Sequence, residues 1–219
     1  WFLYAKNADS SLAVVGETLE LNSTNTNGAV TNNFAAVRPF AAVDMTNLGT
    51  KVTLQLDFLT LENHATDRGI GIGLYDSEGT AITGDTSSGT VGENDSGYFT
   101  YIRRGVFLHR LYENNGKGIL DSEISASRAN DTTSLALRVG GVTNAFHVGG
   151  VTNSPGIWYT YRLEIETIEG AGGPLDEVDH LVTVTLLQGA TNLSTMTYTD
   201  TATLVGSIDQ VGVLTMAGN

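Results

Sequence analysis

The chain has 219 residues, of which 41% are hydrophobic and 16% charged, a composition that can bury a core and is neither disordered nor collagen-like. Eleven Lys and Arg against 24 Asp and Glu give a formal net charge of −13, which argues against nucleic acid and anionic membrane surfaces as partners. The chain has no cysteine, which excludes disulfides and thiolate metal sites. No stretch approaches the roughly 18 apolar residues of a membrane-spanning helix, so membrane insertion is not expected.

Alternation of apolar and polar residues predicts strands along most of the chain and no helix. The clearest strand covers residues 52–61, where Val52, Leu54, Leu56 and Phe58 alternate with polar residues, the two-residue period of a half-buried strand. In chain order, the predicted strands are residues 18–21, 52–61, 70–75, 98–103, 106–112, 158–167, 180–187, 194–198 and 208–215.

Turn-forming segments separate these strands. Gly and Asn tolerate the positive φ of tight turns and cluster at residues 25–28, 76–79, 92–97 and 113–116. The strongest predicted hairpin joins the strands 98–103 and 106–112 across Arg104 and Gly105. About ten strands with short turns predict an all-β sandwich or barrel.

The domain organisation follows from composition. No shift in composition divides the chain, and Pro39, Pro155 and Pro174 lie in predicted loops without forming a linker. We therefore predict one domain over residues 1–219.

Three stretches carry a family resemblance: residues 52–58 leading to 67–75, residues 158–165 and residues 208–213. Together they resemble the concanavalin-like lectin and glucanase sandwich, in particular the laminin-G-like domains of bacterial secreted and surface proteins. The resemblance implies an all-β, two-sheet antiparallel jelly roll and an extracellular or cell-surface location. Function stays open at this point, because the same fold hosts lectins, glycan-binding modules, glycosidases, polysaccharide lyases and adhesion domains.

The predicted hairpin carries the candidate binding site. In sandwiches of this type the concave face of one sheet usually binds carbohydrate, where aromatic rings stack on sugars and planar polar groups bind hydroxyls. Tyr101 and Arg103 share one face of the first strand, Arg110 and Tyr112 share one face of the second, and His109 lies beside them. These five residues are the predicted ligand-binding set.

The same segment is a local cationic region in an acidic chain. With Arg104 and Lys117 it holds four of the eleven Lys and Arg residues. Guanidinium groups pair in a bidentate way with uronate or sulfate groups, so an acidic glycan is one interpretation. The alternative is structural: the arginines pack over aromatic rings or pair with carboxylates on a solvated sheet face.

Two enzymatic alternatives have candidate residues. Arg103, His109 and Tyr112 are the residue types with which a polysaccharide lyase neutralises a uronate and moves its C5 proton. However, the Arg-Glu-rich and Gln-Ile-His strand motifs of jelly-roll alginate lyases are missing, and no His-x-His or His-x-x-x-His pair suggests a zinc site. These absences argue against a lyase and a catalytic metal.

The segment 164–169 resembles the Glu-x-Asp-x-x-Glu strand of concanavalin-like β-glucanases. Retaining enzymes need two carboxyl groups about 5 Å apart. Glu166 replaces the central Asp, and without a bulge Glu164 and Glu169 would face opposite sides of the sheet. The alternative is a set of glutamates on a solvated strand face, and we assign no catalytic residue.

The resemblance also implies a structural Ca²⁺, because lectin-like sandwiches often bind it through loop carboxylates and carbonyls. The candidate loops contain Asp76, Glu78, Glu93, Asp95 and Asp209. None matches the twelve-residue EF-hand pattern, so the metal ligands are left unassigned.

The leading hypothesis is a non-catalytic carbohydrate-binding or cell-adhesion module that recognises an extracellular polysaccharide or glycoconjugate. A polysaccharide lyase or glycoside hydrolase of the same fold is the second. The third is a structural subunit of a surface layer or filament, suggested by the Thr-, Asn- and Gly-rich, cysteine-free composition and by strand edges that could pair between copies.

Overall fold

The computed structural model describes residues 1–5, 10–15, 18–23, 34–59, 68–85, 95–103, 108–115, 132–139, 158–170, 178–201 and 204–217. Within these ranges all regular structure is β, and no helix there is long and apolar enough to cross a membrane. The strands are β1 Phe2–Ala5, β2 Ser10–Val15, β3 Thr18–Ser23, β4 Phe34–Asp44, β5 Lys51–Leu59, β6 Arg68–Asp76, β7 Ser96–Arg103, β8 Leu108–Asn115, β9 Thr132–Val139, β10 Trp158–Glu169, β11 Val178–Gln188, β12 Thr191–Asp200 and β13 Ser207–Ala217.

Two antiparallel sheets form the sandwich. A seven-stranded sheet has the order β1-β4-β13-β6-β7-β8-β9, and a four-stranded sheet has the order β12-β11-β10-β5. The strands β2 and β3 form a separate two-stranded ribbon. Neighbours such as β5 and β10, or β6 and β13, are far apart in sequence. The predicted all-β, two-sheet jelly-roll sandwich is confirmed.

Within the described ranges a strand is found at each of the nine predicted positions, and four strands there were missed: β1, β2, β4 and β9. Residues 60–61 and 106–107 of the predicted strands lie outside these ranges. The prediction that Pro39 lies in a loop was wrong, because Pro39 is inside β4 and pairs with Gln210 of β13. Proline has no N–H to donate, and it is tolerated in sheets at irregular positions. Here the register with β13 shifts beside Pro39, and the pairing of β4 with β1 already ends at Val37.

The core lies between the two sheets and is built by alternation. In β10, Tyr159, Tyr161, Leu163 and Ile165 are buried, whereas the residues between them are less buried. From the seven-stranded sheet the core cluster includes Ile72, Leu74, Tyr98, Val211 and Val213, and from the strands β11 and β12 beside β10 it includes Val182, Val184 and Met196. This pattern is the physical basis of the strand prediction.

Polar side chains also cross the core. The hydroxyl of Tyr98 on β7 donates to Asp200 Oδ2 on β12 at 2.7 Å and lies 3.1 Å from His180 Nδ1 on β11. A second link joins the Thr100 hydroxyl to the Tyr161 hydroxyl. All five side chains are almost completely buried, so these bonds fix how the two sheets are positioned relative to each other.

Candidate functional site

The hairpin of β7 and β8 sets the geometry of the predicted ligand-binding residues. Tyr101 pairs directly with Arg110, and Arg103 pairs with Leu108. Two residues earlier on β7, Phe99 pairs with Tyr112. Cross-strand partners share a face of the sheet, so the positions of Tyr101, Arg103, Arg110 and Tyr112 lie on one face. The predicted hairpin is confirmed, and its loop, residues 104–107, lies outside the described residues.

The neighbours of these positions along β7 show which face this is. Tyr98 and Thr100 are buried and bond to residues of the four-stranded sheet. Because successive residues on a strand alternate between faces, the positions of Phe99, Tyr101 and Arg103 belong to the other face. We call this side of the seven-stranded sheet, turned away from the four-stranded sheet, the outward face.

His109 occupies a different register position. It pairs with Ile102, whose position belongs with Tyr98 and Thr100 on the side that faces the core. The register therefore separates His109 from the four other predicted binding residues. The described structure says nothing of the five side chains themselves, so the predicted binding set stays a prediction.

One end of the outward face is closed. Tyr75 of β6 and Phe99 of β7 are almost completely buried there, outside the main core cluster. A Cβ built on Gly73 would overlap the Tyr75 ring, which shows that the ring lies over this glycine. The segment after β6 reaches this end, since the buried Ile82 donates its backbone N–H to Gln210 Oε1 at 2.9 Å.

The closed end contains a buried carboxyl group. Gln210 Nε2 donates to Asp95 Oδ2 at 2.9 Å, and Asp95 Oδ1 has no hydrogen-bond partner. Burial, partly offset by the Gln210 hydrogen bond and reinforced by Asp209 and Asp76, raises the pKa of Asp95 from 3.8 to about 7. Asp95 is therefore partly protonated near neutral pH.

Two carboxylates from the candidate Ca²⁺ loops, Asp76 and Asp209, lie near Asp95 and accept hydrogen bonds from the protein. Asp209 accepts two hydrogen bonds from Ser77, at 2.8 Å from the backbone N–H and 2.6 Å from the hydroxyl. Asp76 accepts from the backbone N–H of Glu78 at 2.9 Å and from the Ser207 hydroxyl at 2.8 Å. Within the described ranges no group of three His, Asp or Glu side chains could hold a metal ion. Glu93 lies outside the described residues, and the cation stays a prediction.

Two glutamates of the glucanase-like segment, Glu164 and Glu166, lie on the solvent side of β10. The pairing of β10 with β5 and β11 runs without a register shift, so Glu164 and Glu169 alternate to opposite sides of the sheet, as predicted. Lys51 Nζ contacts Glu164 Oε1 at 3.1 Å and Glu166 Oε2 at 2.7 Å. This cluster is a solvated ion-pair network and not a facing pair of catalytic carboxyl groups.

Lys51→Met is expected to lower the stability only slightly. The hydrogen bond to Glu166, then that to Glu164, raises the pKa of Lys51, so the lysine is fully charged near neutral pH. Its side chain is 43% exposed, and water and salt screen such pairs. Urea unfolding at pH 7 should show a small loss at low salt that disappears at high salt. A large loss that persists in high salt would contradict this account.

Comparisons with known proteins assign no family to this chain. The chain matches no family model. No curated protein matches it either. Among solved structures it is similar to the Emp46p carbohydrate recognition domain in its potassium-bound form, with 14% sequence identity over 85% of this chain and 72% of that chain, and a TM-score of 0.44.

Three features of the structure were not found from the sequence. They are the Asp95–Gln210–Ile82 chain of hydrogen bonds, the buried contacts of Tyr98 with His180 and Asp200, and the exposure of Trp158, which is 57% exposed at the start of β10. Only the exposure of Trp158 could have been predicted from the sequence. In a strand, Trp158 lies on the same face as the polar residues Thr160, Arg162 and Glu164.

Proposed function

We propose that this chain is a non-catalytic carbohydrate-binding module of an extracellular or cell-surface protein, and that it takes an anionic polysaccharide on the outward face of the seven-stranded sheet. The observation that supports it is the β7–β8 register, which gives Tyr101, Arg103, Arg110 and Tyr112 positions on one face. Two aromatic and two guanidinium residues at neighbouring positions are a combination suited to acidic sugars.

The position of the site along the sheet follows from the closed end. Tyr75, Phe99 and Ile82 are buried there, and Ala35 of β4, in the same row as Tyr101, is buried too. A ligand therefore belongs on the β7–β8 side of the sheet, near the end of β7 at Arg103. A glycan that crosses the strands at this end would meet the Tyr101–Arg110 pair. The arginines would bind its carboxylate or sulfate groups, and the rings would stack on its apolar faces.

The proposal is for binding without catalysis. A retaining glycosidase needs two carboxyl groups about 5 Å apart that flank the bond, whereas Glu164 and Glu166 are held by Lys51 on the other sheet. A lyase that used His109 with Arg103 and Tyr112 would need them on one surface, but His109 has the register position of the opposite face. Both observations favour a binding role.

Affinity electrophoresis against alginate, pectin, ulvan and carrageenan tests this proposal. We expect retention of the native protein by at least one of them, and an increase in Kd of about tenfold for Arg103→Ala, since one charge-assisted interaction is worth roughly 1.5–3 kcal/mol. Tyr101→Ala should weaken binding similarly. The matched control is Arg38→Ala, which removes the same charge from an exposed position on β4.

The same incubations should be assayed for ultraviolet-absorbing unsaturated products and for new reducing ends. Retention without product supports the binding module. Either product would replace it with an enzymatic function. Failure of every acidic polysaccharide to retain the native protein, or equal weakening by Arg38→Ala and Arg103→Ala, would refute the assignment of this surface.

A further inference from the structure

The four-stranded sheet presents a second surface with an exposed tryptophan. Trp158 is 57% exposed, and it opens β10, where the next residue, Tyr159, is 3% exposed and stacks on Phe58 at a centroid distance of 5.6 Å. Alternation therefore turns Trp158 away from the core, to the side of Thr160 and Arg162. A single exposed apolar residue is normal on a protein surface, so a binding role for Trp158 depends on the residues that surround it.

Trp158 is paired directly with Leu59, and polar residues follow on the same face of the sheet. Thr160 is paired with Asp57 of β5, and its hydroxyl donates to Asp57 Oδ1 at 2.5 Å. Arg162 is paired with Gln55, which is exposed. The carboxylate of Asp57, the amide of Gln55 and the guanidinium of Arg162 thus occupy the next positions after Trp158 on this face of β5 and β10. We call Gln55, Asp57, Trp158, Thr160 and Arg162 the Trp158 surface.

The rest of this sheet face is rich in hydroxyl groups. On one side, Thr183 and Thr185 of β11 pair with Thr197 and Thr195 of β12. On the other side, they pair with Glu164 and Arg162 of β10. The threonines that share this face are Thr53, Thr160, Thr183, Thr185, Thr195, Thr197 and Thr199. Thr185 is 6% exposed, so the other six threonines are the hydroxyl groups nearer to solvent. The same register gives Leu59, Leu181 and Leu187 positions on this face.

Its charges largely cancel. Lys51 is neutralised by Glu164 and Glu166, and Arg162 lies diagonally across from Asp57. The whole chain carries a net charge of −13, so a polyanion would be repelled on approach without a cluster of free cations here to hold it. A neutral, hydroxyl-rich ligand fits both the ring and the charge balance.

We propose that the Trp158 surface is a second carbohydrate-binding site, which takes a neutral polysaccharide strand. The indole stacks on the apolar face of one pyranose ring, and Gln55, Asp57 and Arg162 hydrogen-bond to hydroxyls of that sugar and its neighbour. The site lies on the opposite side of the sandwich from the outward face, so it is independent of the proposed anionic site.

Association with a second copy of this chain is the competing use of an exposed tryptophan. Protein interfaces are centred on buried aromatic and apolar anchors, and threonine is under-represented among their energetically important residues. The threonine-rich neighbourhood therefore favours a sugar. If Trp158 instead drives association, the mass of the protein in solution will depend on concentration and Trp158→Ala will abolish that dependence.

The test is affinity electrophoresis in gels that contain laminarin, xyloglucan, galactomannan or hydroxyethylcellulose. We expect at least one to retain the native protein and Trp158→Ala to raise its Kd at least about tenfold, roughly 1.4 kcal/mol. Trp1→Ala is the matched control, because Trp1 is the other tryptophan of the chain and is 36% exposed. Gln55→Ala, at an exposed position, should weaken binding without risk to the core.

A fluorescence measurement gives an independent readout. In Trp1→Phe, Trp158 is the remaining tryptophan, and the retaining polysaccharide should shift its emission and protect it from acrylamide. Lack of retention by all four polymers, or equal retention of Trp158→Ala and the native protein, would overturn the proposal. Arg103→Ala should leave neutral binding intact, and Trp158→Ala should leave acidic binding intact, so either site can fail without the other.

Discussion

Asp95→Asn is expected to make the protein more stable at pH 8, by on the order of 2–4 kcal/mol, and to change its stability little at pH 4. Burial is the main reason that the pKa of Asp95 rises from 3.8 to about 7. Between these two values the folded chain holds a proton that the unfolded chain has released. The native protein therefore loses stability as the pH rises through this window, and the loss is complete above pH 7. Asparagine cannot ionise, so the variant does not lose this stability as the pH rises.

Urea unfolding of both proteins at intervals from pH 4 to pH 8 measures the effect. The difference in free energy of unfolding should grow with pH and level off above about pH 7. Asp44→Asn is the control: Asp44 is fully exposed, and the hydrogen bond from the Thr46 side chain lowers its pKa. Its replacement should instead reduce stability at pH 8. A difference between Asp95→Asn and the native protein that does not vary with pH would contradict the buried, strained state of this carboxyl group.

Local patterning was enough to predict most of the fold. The alternation of Val52, Leu54, Leu56 and Phe58 places them on the core side of β5, as the structure has them. It failed for β4, because its sequence has no two-residue period and contains Pro39. A proline inside a strand is accommodated by the register shift of the neighbouring strand β13, and that depends on a partner about 170 residues further along the chain.

The candidate site was predictable where it depends on one hairpin. The position of the turn and the alternation along both strands correctly predicted that Tyr101, Arg103, Arg110 and Tyr112 have positions on one face. The same alternation puts the position of His109 on the other face. The contact of Gln210 with Asp95 joins residues 115 positions apart, which periodicity cannot reveal. Alternation along the strand places Trp158 on the same face as Thr160 and Arg162, and this much could be read from the sequence. Whether its ring is exposed depends on what packs beside the strand.

Tyr98→Phe is the second change from which we expect a large effect. The Tyr98 hydroxyl donates to Asp200 Oδ2 and lies 3.1 Å from His180 Nδ1, so the nitrogen must carry the proton if it bonds to the Tyr98 oxygen. Burial lowers the pKa of His180, which keeps the ring neutral near pH 7. Removing the hydroxyl takes one hydrogen-bond donor from the buried side chain of Asp200 and one hydrogen-bonding neighbour from the buried His180 ring, at a cost of about 2–3 kcal/mol.

In a chain of this size that loss corresponds to a decrease in Tm of about 4–10 °C. Differential scanning calorimetry at pH 7 checks it, with Tyr198→Phe as control: Tyr198 packs against the same core but is only partly buried, and its loss of one hydroxyl should cost less than about 0.5 kcal/mol. Because the folded pKa of His180 is lowered, the native protein should also lose stability as the pH falls below about 6.5. His180→Gln should remove that acid-side loss. Equal Tm values for the two tyrosine variants would mean that the Tyr98 hydroxyl contributes nothing to the association of the two sheets.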